Sequence, residues 1–248
     1  MENWRRHLFE QAVNIKEIQA SVASDRDLSD VLSFASSSVQ APEIKKMIDQ
    51  GQVIHRWATQ EETDVLHAAA FIGKQRGESI IYYSYDEWYA QIANSIKYLK
   101  SAEFEFSSYD YEKNKKLVKA MAVTGFAPTV IHEYGHHTDP EHPMKHMPDA
   151  ELTDLAQFNF DLDPSAGNPE LRNVYSDFEL DEIENYAQRR EKEYVDYIFG
   201  ESEEALRYIL DSIRDSALKR RDFDAIQVAV ISYGNYLKSL QINDNKTN

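Results

Sequence analysis

Val130-Ile131-His132-Glu133-Tyr134-Gly135-His136-His137-Thr138-Asp139-Pro140 is the stretch whose reading decides how the rest of the chain is understood. It contains His-Glu-x-x-His. Residues four apart on a helix share a face, so His132 and His136 can aim both rings at one ion. Glu133 stands one residue round from the first ring, beside the place where a water on that ion would sit. A zinc ion held by two imidazoles and one further ligand keeps a position open for water and lowers its pKa; a carboxylate beside it takes the proton. Val130 and Ile131 give such a helix a buried lead-in, and Gly135 allows another backbone to pack close.

Composition narrows the classes. At 248 residues the chain fits one large domain or a catalytic domain with a small appendage, and 42% apolar with 12% aromatic residues can fill a sizeable core. We expect an N-terminal helical region over residues 1–58 and a catalytic domain over 59–248, with a single compact unit as the other arrangement. The net charge of −16, 43 acids against 27 bases, repels phosphates and anionic lipid, so neither nucleic acid nor a membrane is an expected partner. With no cysteine, any metal must rely on His and carboxylate ligands. The first residues show no apolar signal region, and no run approaches a membrane span. The expected location is the cytoplasm, with signal-independent secretion as the other route that leaves this trace. The sequence sets no oligomeric state.

Along the chain, apolar spacing predicts helices over residues 3–22 and 27–35, a Ser-rich break at Ser36–Ser38, and a helix opened by Pro42 and closed by Gly51. Further helices are predicted over 60–76, 86–100 and 112–124, the last ended by Gly125, with Pro128 opening the motif helix. Strands are expected at Ser79–Ser84 and Glu103–Phe106, the second an ordinary half-buried strand or an edge able to take an extended peptide. Residues 140–178 carry five prolines and read as a loop-rich wall beside the motif. Helices follow over 179–198, with Gly200 as C-cap, and over 202–220 and 222–240.

Two candidates compete for third ligand. His142 lies six residues after His136, the step of the extended pattern His-Glu-x-x-His-x-x-Gly-x-x-His, but Asp139 occupies the Gly position and no Met follows Met147 to make a methionine turn. Glu184 lies in Glu184-Asn185-Tyr186-Ala187-Gln188, where Gln188 shares its face and can support a ligand, and Ala187 lets this helix lie close to the motif helix.

The pair of motifs, His-Glu-Tyr-Gly-His-His-Thr-Asp at 132–139 and Glu-Asn-Tyr-Ala-Gln beginning 48 residues after His136 (184 − 136), resembles the anthrax lethal-factor-like zinc metallopeptidases. The resemblance covers two short motifs and their spacing. It implies one zinc ion held by His132, His136 and Glu184, with Glu133 as general base. It also implies a tyrosine near the substrate oxyanion; the family's usual position falls on Asp177 here, and Tyr175 is the nearest substitute. Gln188 stands where the family has an acid, and Asp139 matches.

The expectation is therefore a zinc-dependent endopeptidase of gluzincin type on a helix-rich α+β, zincin-like fold with a small sheet and an active-site helix, acting on a protein or peptide. Between residues 149 and 204, 17 acids face 4 bases, which suggests a negative cleft wall and a tolerance for basic substrates. The alternatives are a metzincin-like site using His142, and a regulatory or binding protein on the same scaffold without efficient turnover.

Overall fold

The computed structural model describes residues 24–51, 53–58, 69–75, 78–104, 111–139, 177–214 and 220–244. In chain order these are α1 (Asp25–Ser38), α2 (Pro42–Gln50), β1 (Val53–Trp57), β2 (Ala69–Gln75), β3 (Glu78–Tyr83), α3 (Tyr85–Ser101), α4 (Tyr111–Thr138), α5 (Asp177–Asp196), a π-helical turn (Tyr197–Glu201), α6 (Glu204–Ser212) and α7 (Arg220–Asp244). The chain is helix-rich with one small mixed sheet, compatible with the α+β class. No helix among the described residues is long and apolar enough to cross a membrane.

Two compact units divide these elements. One holds the described residues of Met1–Phe34, Trp88–Phe126 and Val195–Asn248; the other holds those of Ala35–Glu87 and Ala127–Tyr194. The described part of residues 1–58 is thus shared between both, and β1 joins the sheet.

In the first unit, α1 begins with a reciprocal cap. The Asp27 carboxylate accepts from the Ser24 N–H (2.9 Å), and the Ser24 hydroxyl accepts from the Asp27 N–H (3.3 Å). The same buried carboxylate accepts from Lys119 of α4 at 2.6 Å. Trp88 meets Phe126 edge-on at 5.8 Å, and the Phe34 ring lies 4.7 Å from Tyr208. Gly125 is buried, and a Cβ there would collide with the Tyr233 hydroxyl, which donates to Gln91.

The second unit carries the sheet. β3 lies between its neighbours, parallel to β1 (Val53↔Ser79 to Trp57↔Tyr83) and antiparallel to β2 (Ala69↔Tyr83 to Gln75↔Glu78). Paired residues share a face, so His55, Trp57, Ile81 and Tyr83 point to one side. Ile81 and Tyr83 are fully buried there.

Several sequence expectations change. Residues 69–75 form a strand rather than the end of a helix: a short apolar run such as Ala68–Ile72 fits either period, and the open edge of β3 supplies a hydrogen-bonding partner. The register shifts between Ile72 and Gln75, an interval that contains Gly73, a residue that accommodates a bulge. β1 went unread in the sequence because His55 and Arg56 interrupt its apolar pattern. Ser36–Ser38 do not break α1. Ser36 bonds to Asp49, and Ser38 to the Tyr194 hydroxyl at 2.6 Å, so their side chains have tertiary partners while the backbone stays helical.

Glu103 and Phe104 form no strand; they close α3 with N–H bonds from Glu103 to Lys100 O (3.1 Å) and from Phe104 to Leu99 O (3.0 Å), with Glu103 in the left-handed region at φ 59°. Phe106 lies outside the described residues.

The largest change concerns α4. It is one helix of 28 residues that passes through both Gly125 and Pro128. Proline inside a helix removes one N–H and costs about 3 kcal/mol. Burial on every side of Thr124–Pro128 offsets it, since Phe126 and Ala127 lose all exposure. Gly125 is there for its missing Cβ and does not end the helix. Gly200 likewise sits inside the π-helical turn and is not a cap. The expected helix at 3–22 lies outside the described residues, as do residues 140–176 of the loop-rich stretch.

Candidate metal centre

The motif occupies the last turns of α4, where helical periodicity brings its rings together. His132 Nε2 and His136 Nε2 stand 3.1 Å apart, with ring centroids 4.8 Å apart and planes nearly perpendicular. Two nitrogens bound at ~2.0–2.1 Å to one tetrahedral zinc lie about 3.3 Å from each other. The facing nitrogens therefore match a shared ion in type and spacing.

The other nitrogen of His132 is also engaged. Its Nδ1–H donates to Glu191 Oε2 at 3.1 Å, from one turn beyond Ala187 on α5. That bond fixes the tautomer with the Nε2 lone pair directed at His136. A carboxylate behind a histidine in this way orients the ring and raises its basicity toward a metal. The carboxylate at this ring is Glu191.

What holds α5 in place is the absence of a side chain. A Cβ built on Gly135 would lie 2.8 Å from the Ala187 Cα and 3.2 Å from its Cβ, so the two backbones approach as closely as the sequence suggested. Ala187 is fully buried. The helices run in opposite directions here, since residue 132 meets 191 while 135 meets 187. Arg190 ties α5 to Glu43 of α2 (3.2 Å) while also bonding the Tyr186 hydroxyl within α5 (3.2 Å), and Tyr194 is bonded to Ser38 of α1.

Glu133 is only 5% exposed. Its charge acts on the Tyr83 hydroxyl, which burial first, then Tyr134 and then Glu133, hold well above the ordinary phenol range. Between Tyr83 and the motif sits His55. Its Nδ1 is 2.9 Å from the Tyr83 hydroxyl and its Nε2 is 2.9 Å from the Tyr134 hydroxyl. Burial lowers the His55 pKa to about 4, and the ring is neutral at pH 7. The helix closes at Asp139, whose N–H bonds to Gly135 O at 2.9 Å, while the Thr138 hydroxyl donates to Tyr134 O at 2.8 Å.

The structure thus brings together His132, His136 and Glu133. Among the described residues no third His, Asp or Glu side chain joins the two histidines as a cation cage. Glu184 lies on α5 three residues before Ala187, with its side chain outside what is described; His142 and Tyr175 lie outside the described residues altogether. Glu191 and His55 were missed in the sequence. Glu191 had a signal: it repeats the face of Glu184, Ala187 and Gln188 at helical spacing. His55 had none, because its partners are 28 and 79 residues away.

Compared with protein-family models, characterised proteins and solved structures, the chain matches none of them.

Proposed function

We propose that the protein is a zinc-dependent endopeptidase of gluzincin type on a zincin-like scaffold. The observation that carries the reading is the His132–His136 nitrogen pair at 3.1 Å, with His132 backed by Glu191 and followed in the chain by a buried Glu133. His132, His136 and Glu184 would hold the ion. Zinc, when bound, supplies an acidified water and polarises the scissile carbonyl.

The remaining work falls to the chain itself. Glu133 accepts the water's proton and passes it to the leaving amine, and its burial shields the carboxylate from bulk water. Glu191 holds the His132 ring in the tautomer that offers Nε2. Gly135 and Ala187 keep α5 close enough for that bond. Tyr175 takes the oxyanion role that the lethal-factor-like motif pair implies. The 17 acids against 4 bases over residues 149–204 favour basic peptide substrates.

The test is zinc content by elemental analysis of wild type, Glu184→Ala and His142→Ala, beside cleavage of a peptide library by wild type and Glu133→Gln with chelator controls. One zinc per chain, lost in Glu184→Ala and kept in His142→Ala, is expected, together with loss of cleavage in Glu133→Gln. Zinc lost only in His142→Ala would move the third ligand to that residue. A protein without stoichiometric zinc, whose cleavage survives Glu133→Gln, is not this enzyme.

A further inference from the structure

The helix that carries the motif is held on two sides, and the second hold has no part in the chemistry above. Gly135 against Ala187 fixes how near α5 comes, but a contact made without long side chains resists turning of α4 only weakly. On the other side, the Tyr134 hydroxyl lies 2.9 Å from His55 Nε2, and His55 Nδ1 lies 2.9 Å from the Tyr83 hydroxyl. Tyr134 is two residues from both His132 and His136, so it leaves the helix about 160° round from either ring. The sheet therefore grips α4 from behind the site.

The anchor in the sheet is firm. Tyr83 is fully buried on the central strand β3, its C=O accepts from the Ala58 N–H at 2.9 Å, and the Trp57 ring meets it edge-on at 6.4 Å. His55 pairs with Ile81 and Trp57 with Tyr83, which makes His55 and Tyr83 diagonal neighbours on one face. A neutral imidazole has one N–H and one lone pair, so either tautomer makes both bonds, one phenol donating and the other accepting. A rigid ring with nitrogens on two edges bridges the tyrosines; a side chain with one polar end cannot. All three residues belong to the same compact unit as the motif.

At a side-chain radius of about 5–6 Å, a turn of α4 by ~10° moves a group by about 1 Å. That displacement is enough to break the 2.9 Å bond to Tyr134. It also carries the His132 and His136 nitrogens about 1 Å relative to α5, against a tolerance of about 0.2 Å for a metal–ligand distance. We propose that Tyr83, His55 and Tyr134 form a brace from the sheet to the back of α4, which fixes the helix's rotation and so the aim of the His132 and His136 nitrogens toward α5. His55 is a positioning residue that acts through Tyr134.

The inference rests on the reading of the motif as a zinc site, and its test separates the two. Amide hydrogen exchange of the metal-free full chain, and zinc affinity by chelator competition, are compared for wild type, Tyr134→Phe, His55→Phe and the double variant. Exchange at residues 132–138 should quicken about fivefold in each single variant, the effect of one hydrogen bond lost, while residues 117–122 of the same helix keep their rates. The double variant should be no faster than His55→Phe, because both changes break the same bond. Zinc affinity should fall about tenfold, as when a group that orients a ligand is removed. Tyr83→Phe cuts the anchor alone and serves if His55→Phe does not fold. Exchange unchanged at 132–138, exchange raised equally along all of α4, or zinc affinity equal to wild type overturns the brace. A wild type that binds no zinc removes the metalloenzyme reading, and the exchange rates then decide the brace by themselves.

Discussion

Gly135→Ala adds one methyl group to the helix that carries the site, at the point where α4 and α5 touch. On an exposed helix that change stabilises by about 1 kcal/mol, because alanine loses less backbone entropy than glycine. Here the new Cβ would stand 2.8 Å from the Ala187 Cα, a backbone atom with no rotamer to move. Ordinary contact needs about 3.6–4.0 Å, so the helices must separate by roughly 1 Å. Overpacking of this kind costs about 1–3 kcal/mol, which cancels or outweighs the propensity gain. The same displacement draws Glu191 back from His132, whose 3.1 Å bond has little slack before it ceases to be one.

Loss of such a carboxylate lowers metal affinity about 10–100-fold. Denaturant unfolding of the metal-free protein and zinc affinity by chelator competition should both be measured. The expected pair of results is no gain in stability and a zinc affinity weakened about tenfold or more. A protein stabilised by the full ~1 kcal/mol of helix propensity, with unchanged zinc affinity, would refute the close approach and the role given to it.

Glu191→Gln keeps the shape of the side chain and removes its charge; zinc affinity is expected to fall about 10–100-fold while the unfolding free energy in the absence of metal changes little, as chelator competition and denaturant titration will show. The His55 pKa, lowered to about 4 by burial, makes stability depend on pH. The folded state binds fewer protons there than the unfolded chain, so the contribution is present above about pH 6.5 and is lost as pH falls toward 4. The slope is worth at most about 3 kcal/mol, less for a ring only partly shielded from water; unfolding curves of His55→Gln should show a flatter dependence over that window, and equal slopes would contradict it. Gly125→Ala sets a Cβ against the Tyr233 hydroxyl and the Gln91 amide oxygen in a buried site, and should lower stability by about 1–3 kcal/mol in denaturant titration.

The division between what the residues determine alone and what packing determines follows from range. His132 and His136 face one another because four residues make nearly one helical turn, a local property that holds wherever that helix lies. Gly135 and Ala187 were legible for a related reason: a small residue is informative by what it leaves out. Signals of the same local kind misled at Gly125 and Pro128, where burial of the surrounding face outweighs the helix-breaking preference and α4 runs on. Residues 69–75 became a strand because β3 had an edge to offer, and an apolar run of that length carries no period of its own. Glu191 could be placed on the right face of α5 from the sequence, but only the packing of α5 on α4 put it behind His132. His55 is the limiting case. Its neutral ring and its two tyrosine partners are decided by β1, β3 and α4 meeting in one place, and nothing within ten residues of it announces that meeting.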